Sequence, residues 1–154
     1  MKINFWFLVV LSLFLVGSSK VAVTREAGPG FIYRQLEDLQ FEPVPGLSGV
    51  SFAVLAGNPA EPGTYVIRAR FAAGVTTPPH YHDQVRHVTV ISGVWYFGTD
   101  DSGDCGRTMP LKTGAYAMHP KGAVHFDGSC NNETTEVQIT GIGPVNTHWL
   151  SAGS

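Results

Sequence analysis

The stretch "TTPPHYHDQVRHVTVISG", residues 76–93, places His80, His82 and His87 within eight positions and sets Arg86 among them. Imidazole is the commonest transition-metal ligand among side chains. In a strand, residues two apart share a face, so His80 and His82 offer two ring nitrogens side by side while Tyr81 points away. Alternating histidines also occur on ordinary strand surfaces, so the pair needs a third partner. The stretch "GAYAMHPKGAVH", residues 114–125, supplies one: a strand runs into the tight turn Pro120-Lys121-Gly122, and His125 follows as the chain re-enters the sheet. Five of the six histidines lie between 80 and 125, and the sixth, His148, is near the tail.

The remaining sequence narrows the chemistry by exclusion. No G-x-S-x-G, no phosphate loop and no Ser or Cys nucleophile in register with a base is present, so nucleophile-based hydrolysis has no support. The formal charge is -2 without a run of Lys or Arg, which argues against nucleic acid as a partner. A reaction at this site would run through a metal with a bound water or dioxygen.

The elements that must position these side chains are short strands. The chain of 154 residues is 44% hydrophobic and 14% charged, enough for one buried core, and its 18 Gly and 10 Pro favour turns over helices. Runs rich in β-branched and aromatic residues predict strands at Val50–Leu55, Thr64–Phe71, His87–Ile91, Val94–Gly98, Gly114–Met118 and Thr135–Gly141. In Thr64–Phe71, Tyr65, Ile67, Ala69 and Phe71 alternate with Arg68 and Arg70, the pattern of a half-buried strand. Residues 27–45 read as a mixed segment with a short helical turn or an edge strand. The whole is an all-β fold of antiparallel strands: a sandwich, jelly roll or barrel.

The N-terminus differs. Lys2 precedes the apolar run "FWFLVVLSLFLV", Phe5–Val16, and then Gly17, Ser18 and Ser19. These features predict a secretory signal peptide over 1–19, because about 20 apolar residues are needed to span a bilayer as a helix. The alternative is an uncleaved anchor. Export to the periplasm or beyond leaves no membrane contact after cleavage and puts Cys105 and Cys130 in an oxidising compartment. A disulfide between them is favoured over a metal site, since neither belongs to a CxxC or adjoins a histidine. Asn132-Glu133-Thr134 is a glycosylation triplet for a host that modifies secreted proteins.

With those residues in place, the chain resembles the cupin superfamily. The first cupin signature, G-x5-H-x-H-x3-E-x6-G, is met by Gly74, His80, His82 and Gly93. The second, G-x5-P-x-G-x2-H-x3-N, is met by Gly114, Pro120, Gly122 and His125. Small single-domain bacterial cupins also share the lead-in "VPGLSGVSFAVLAGNPAEPG", the pair "VTVISGVWYFG" and the ending "GIGP". The resemblance implies a single antiparallel cupin barrel over 41–146, after an extension over 20–40 and before a tail over 147–154. It implies a divalent metal (Fe, Zn, Ni or Cu) on His80, His82 and His125, and barrels that pair as homodimers.

Two positions depart from the signatures. Arg86 stands where the fourth ligand, glutamate, is expected, and Ser129 stands where asparagine is expected. At roughly 5 Å and an effective dielectric near 20, a divalent ion and a guanidinium repel by about 6–7 kcal/mol before relaxation. Three outcomes remain open. Arg86 swings aside to an acid such as Asp83 or Glu136; or it tolerates metal only with an anion between them; or the pocket is metal-free and binds an anion through Arg86. In the last case the histidines are barrel filling. His87, one residue on, leaves the opposite strand face as a surface or interface histidine. Arg86 and His119 are the candidates for catalysis or substrate contact, His119 being equally consistent with the surface. Gln138 matters only if it faces inward, and Trp95, Tyr96 and Phe97 read as core and dimer packing. The function expected is a metal-dependent oxidoreductase, dioxygenase-like, acting on a small anionic molecule. The alternatives are a small-anion binding module and a structural dimer with a vestigial pocket.

Overall fold

A computed structural model describes residues 28–150. The signal-peptide reading of 1–19 and part of the extension fall outside that range, as does the end of the tail. Among the described residues no helix is long and apolar enough to cross a membrane. Residues 28–31 form a turn, and a compact unit begins at Ile32.

The mixed segment contains both elements suggested for it: a 3-10 turn at Leu36–Asp38 and a short strand, β1 (Glu42–Pro43). The strands that follow are β2 (Val50–Ala56), β3 (Gly63–Phe71), β4 (His80–His82), β5 (Arg86–Ser92) and β6 (Val94–Gly98). After a 3-10 turn at Cys105–Arg107 come β7 (Met109–Lys112), β8 (Tyr116–His119), β9 (Phe126–Gly128), β10 (Thr135–Gly143) and β11 (Thr147–Trp149). All pairings are antiparallel. One wall is a six-stranded sheet in the order β1-β2-β3-β10-β5-β8. The other consists of β7-β6-β9 and β11-β4, joined by isolated bridges at Thr76–Gly128 and His80–His125. This is the jelly-roll barrel expected from the sequence. Residues 147–149, assigned there to the tail, instead form β11 against β4.

The core follows strand parity. Tyr65, Ile67, Ala69 and Phe71 of β3, Val88 and Val90 of β5, and Val137 and Ile139 of β10 are buried between the walls with Trp95. Gln138 and Arg68 face outward and bond to each other at 3.3 Å. Two signature glycines have backbone reasons. Gly93 turns β5 into β6 at φ +73°, and a Cβ there would lie 2.7 Å from the Thr134 carbonyl. Gly122 adopts φ +75° in the turn that returns His125, and its N–H donates to the His82 carbonyl at 2.8 Å. Cys105 and Cys130 are bonded, tying the turn after β6 to the loop after β9. Ser129, at the position of the signature asparagine, is buried, its hydroxyl donating to the Glu133 carbonyl at 2.6 Å.

Candidate metal and anion pocket

His80 and His125 are cross-strand neighbours. Each N–H donates to the other's carbonyl, at 2.8 and 2.9 Å, so two residues distant in sequence project their rings from one spot. Their ring centroids are 4.3 Å apart, and His82, two residues along β4, lies 4.9 Å from His80 and 5.2 Å from His125. One ligand atom from each ring falls within 4.8 Å of the others.

The hydrogen bonds set which nitrogens are free. His80 Nδ1 donates to the Pro78 carbonyl at 2.8 Å, and His125 Nδ1 donates to the Ala123 carbonyl at 2.9 Å. A carbonyl accepts only, so both Nδ1 atoms carry the proton and both Nε2 atoms present lone pairs, the orientation a metal ligand needs. His125 Nε2 is buried without a partner. His82 differs. The Arg86 guanidinium donates from Nη1 to His82 Nε2 at 2.6 Å, and Thr147 Oγ1 is 3.2 Å from Nδ1. Two imidazoles of the three therefore fit an ion as they stand, and the third fits once Arg86 releases it.

Arg86 is 7% exposed and faces the barrel interior. It does not swing aside to either acid proposed from the sequence. Asp83 accepts from the Asn146 backbone and side chain at 2.8 and 2.7 Å, and Glu136 is paired with Arg70 at 2.8 Å. Gly141, directly opposite Arg86 on β10, leaves room for the Tyr65 hydroxyl, which a Cβ would approach to 2.5 Å. Burial lowers the guanidinium's pKa, with Tyr65 and then Asp127 opposing.

His119 pairs with Arg86 across β5 and β8 and is 1% exposed, so it lines the pocket instead of the surface. Its ring stacks on Phe97 at 5.0 Å and lies 4.0 Å from the His125 ring. Neither of its nitrogens has a hydrogen-bond partner. Asp127, two residues after His125, is also buried; its Oδ2 is 3.9 Å from His119 Nε2 and its Oδ1 is 3.5 Å from Thr77 Oγ1, both too long for strong hydrogen bonds.

The pocket keeps its imidazoles neutral. Burial first, then the Pro78 bond in opposition and the Arg86 charge in support, brings His80 down to about 4. Burial and then Arg86 bring His82 down to about 2. Burial lowers His119 and His125 as well, and raises Asp127 against the pull of His125 and Arg86.

These groups line a cavity of about 100 Å³ whose other side is apolar, with Val50, Phe52 and Phe71, and whose rim carries Trp149, 47% exposed. The Trp149 ring is 4.8 Å from His80. His87 points out to solvent, 2.8 Å from the Tyr116 hydroxyl, and His148 stacks outside on Tyr81 at 4.7 Å. Sequence reading overlooked Asp127, Thr147 and Trp149. The His125-x-Asp127 alternation was a usable signal for the first, being the same two-residue step as His80-x-His82.

Comparison with known proteins places the barrel in context. The sequence model of the ChrR cupin-like domain matches residues 30–146. Germin-like protein 2-4 of Oryza sativa subsp. japonica is 34% identical over 94 residues, 56% of this chain and 39% of the relative. Germin-like protein subfamily 1 member 1 of Arabidopsis thaliana is 28% identical over 85 residues, 54% and 39%. The chain thus spans about two-fifths of the curated relatives it matches. Among solved structures, the polyketide cyclase RemF of Streptomyces resistomycificus superposes with TM-score 0.65 at 21% identity, covering 79% of this chain and 87% of that one. A sugar phosphate isomerase of the cupin superfamily from Silicibacter pomeroyi gives TM-score 0.60 at 19% identity, covering 77% and 81%. At these identities the structural matches speak for the fold.

Proposed function

For a chain that belongs to the ChrR cupin-like family, we propose a metal-dependent enzyme of the oxidoreductase, dioxygenase-like class that acts on a small anionic molecule. The observation that carries this reading is Arg86: a buried guanidinium whose single short hydrogen bond is to a metal-ligand candidate, His82 Nε2. Arriving carboxylate oxygens would compete for Nη1, because a guanidinium bonds an oppositely charged carboxylate, and can do so bidentately, more strongly than it bonds a neutral imidazole. That exchange frees the His82 lone pair while neutralising the charge that repels a cation. Anion and metal are then expected to bind cooperatively.

A bound divalent ion (Fe, Zn, Ni or Cu) would supply Lewis acidity or dioxygen chemistry at positions the protein leaves open. The chain's own residues would do the rest. Arg86 holds and orients the carboxylate or enolate; the Pro78 and Ala123 carbonyls fix the rings of His80 and His125; Trp149 covers the mouth. The cavity volume limits the ligand. About 100 Å³ is less than the roughly 150 Å³ that accommodates benzene, so a short carboxylate of about four or five heavy atoms suits it. We further propose, on the sequence alone, export through residues 1–19 and pairing into a homodimer.

A second reading, an anion-binding module, is favoured by the same Arg86–His82 bond, since it occupies a ligand atom. Oxygen uptake with short 2-oxo and 2-hydroxy carboxylates, on tag-free protein loaded with each metal, separates the two. The enzyme reading expects turnover that is lost in His125→Ala. Carboxylate affinity that follows Arg86→Ala but not His125→Ala, without turnover, would replace it with the binding module.

A further inference from the structure

The pocket holds a second group of donors that the three-histidine reading does not use. His119, His125 and Asp127 each place one ligand atom within 4.8 Å of the other two, and all three are buried. They arrive from different elements: His119 closes β8, His125 sits at the bridge to β4, and Asp127 lies in β9. Two imidazoles and one carboxylate on a single side leave open positions for other ligands, the donor set of non-haem Fe(II) centres.

An independent observation marks this group as a site. Both ring nitrogens of His119 and the Nε2 of His125 are buried without a hydrogen-bond partner, and the Asp127 carboxylate, beside the Trp95 indole, stands 3.5 Å from Thr77 Oγ1 and 3.9 Å from His119 Nε2. Buried polar atoms are normally satisfied, and leaving several unsatisfied in one spot is costly. An ion bonded to His119, His125 and Asp127 would take up the lone pair of each imidazole and a carboxylate oxygen together, leaving only the second His119 nitrogen, which carries the proton, without a partner. Charge favours the same place. The signature position for the acid carries Arg86, whereas Asp127 brings a carboxylate to the core side of the pocket. An ion on the three-histidine group must displace Arg86 from His82, and one on the core-side group does not.

We propose that the resident divalent metal binds to His119, His125 and Asp127, a two-histidine, one-carboxylate centre offset toward the core from the cupin signature position. His125 Nε2 has one lone pair, so it serves one centre at a time and the protein takes up one ion. His80 and His82 then line the approach with Arg86 and become substrate contacts. This proposal rests on the reading of the pocket as a metal site, and deepens it by moving the ligands.

Equilibrium binding of Co²⁺ to the tag-free full chain, by competition with a chromophoric chelator, tests it, with folding checked by circular dichroism. One equivalent is expected in the wild type. Asp127→Asn, which keeps size and shape, and His119→Gln should each weaken Co²⁺ at least about 100-fold, above the range for removing a mere supporting partner. His80→Gln and His82→Gln should change it less than about 3-fold. Affinity that instead follows His80 and His82 overturns the core-side centre and leaves the metal-enzyme reading standing on the three histidines. Two equivalents would overturn the sharing of His125. A wild type that takes up no Co²⁺ with or without a short carboxylate would overturn both.

Discussion

The rim side and the core side of the pocket carry similar residues in opposite states. On the rim, His80 is held by a carbonyl and His82 by Arg86 and Thr147, with Trp149 of β11 packed alongside. On the core side, His119 is stacked on Phe97 but has no hydrogen bond, and Asp127 lies 3.9 Å from it, beside the Trp95 indole. The rim side carries a guanidinium and the core side a carboxyl group. With arginine at the signature acid's position, the pocket still holds two groups of side chains able to take a metal. A carboxylate, Asp127, is still present on β9 of the opposite wall, and the cation at position 86 suits an anionic substrate.

Acid should unsettle both regions together, because all four pocket histidines are held neutral. His80 is lowered to about 4 and His82 to about 2, so on unfolding at mildly acid pH each takes up a proton that the native state refuses. Their contribution is fully present above the ordinary histidine range and is lost as pH falls below about 6.5 toward the folded values. The slope reaches about 1.4 kcal/mol per pH unit for each histidine. Urea midpoints should hold from pH 7.5 to about 6.5 and then fall steadily to pH 5, and a flat profile throughout would mean the pocket rings are not buried and neutral.

Reducing the Cys105–Cys130 bond should separate scaffold from site. Its closed loop of 25 residues corresponds to roughly 3 kcal/mol of stability on the loop-entropy account. Denaturant curves with and without reductant should show that loss while Co²⁺ affinity stays within about 3-fold, since neither cysteine touches the pocket. Equal loss of affinity would join the loop to the site. The smallest effect belongs outside the barrel. His87→Ala removes an exposed ring bonded to Tyr116, and should alter stability by no more than about 0.5 kcal/mol and leave metal affinity unchanged. A clear drop in metal affinity would show that strand parity misplaces this histidine.

Strand parity and the glycine spacing made the barrel and the His80, His82 and His125 group readable from the sequence. Gly93 and Gly122 are needed by backbone geometry wherever such turns occur, so their register travels with the fold. His119 stayed ambiguous because β8 is only four residues long, too short for alternation to declare which face is inward. Asp127 was hidden for a related reason: all three residues of β9 are buried, so the strand has no polar face to set the phase. Trp149 lies in a run that reads as a polar tail, and only its pairing with His80 makes it a strand. Arg86 was visible as a departure, but its choice of His82 over Asp83 and Glu136 depended on those acids being taken by Asn146 and Arg70.

The coupling of anion to metal is read most directly from the Co²⁺ affinity of wild type and Arg86→Gln, each with and without saturating propionate. Propionate is expected to tighten Co²⁺ at least about 10-fold in the wild type, through loss of a repulsion worth about 6–7 kcal/mol before relaxation. Arg86→Gln should already bind tightly and no longer respond to propionate. Equal affinities in all four conditions would contradict that coupling, because Arg86 would then join neither anion nor metal to the pocket.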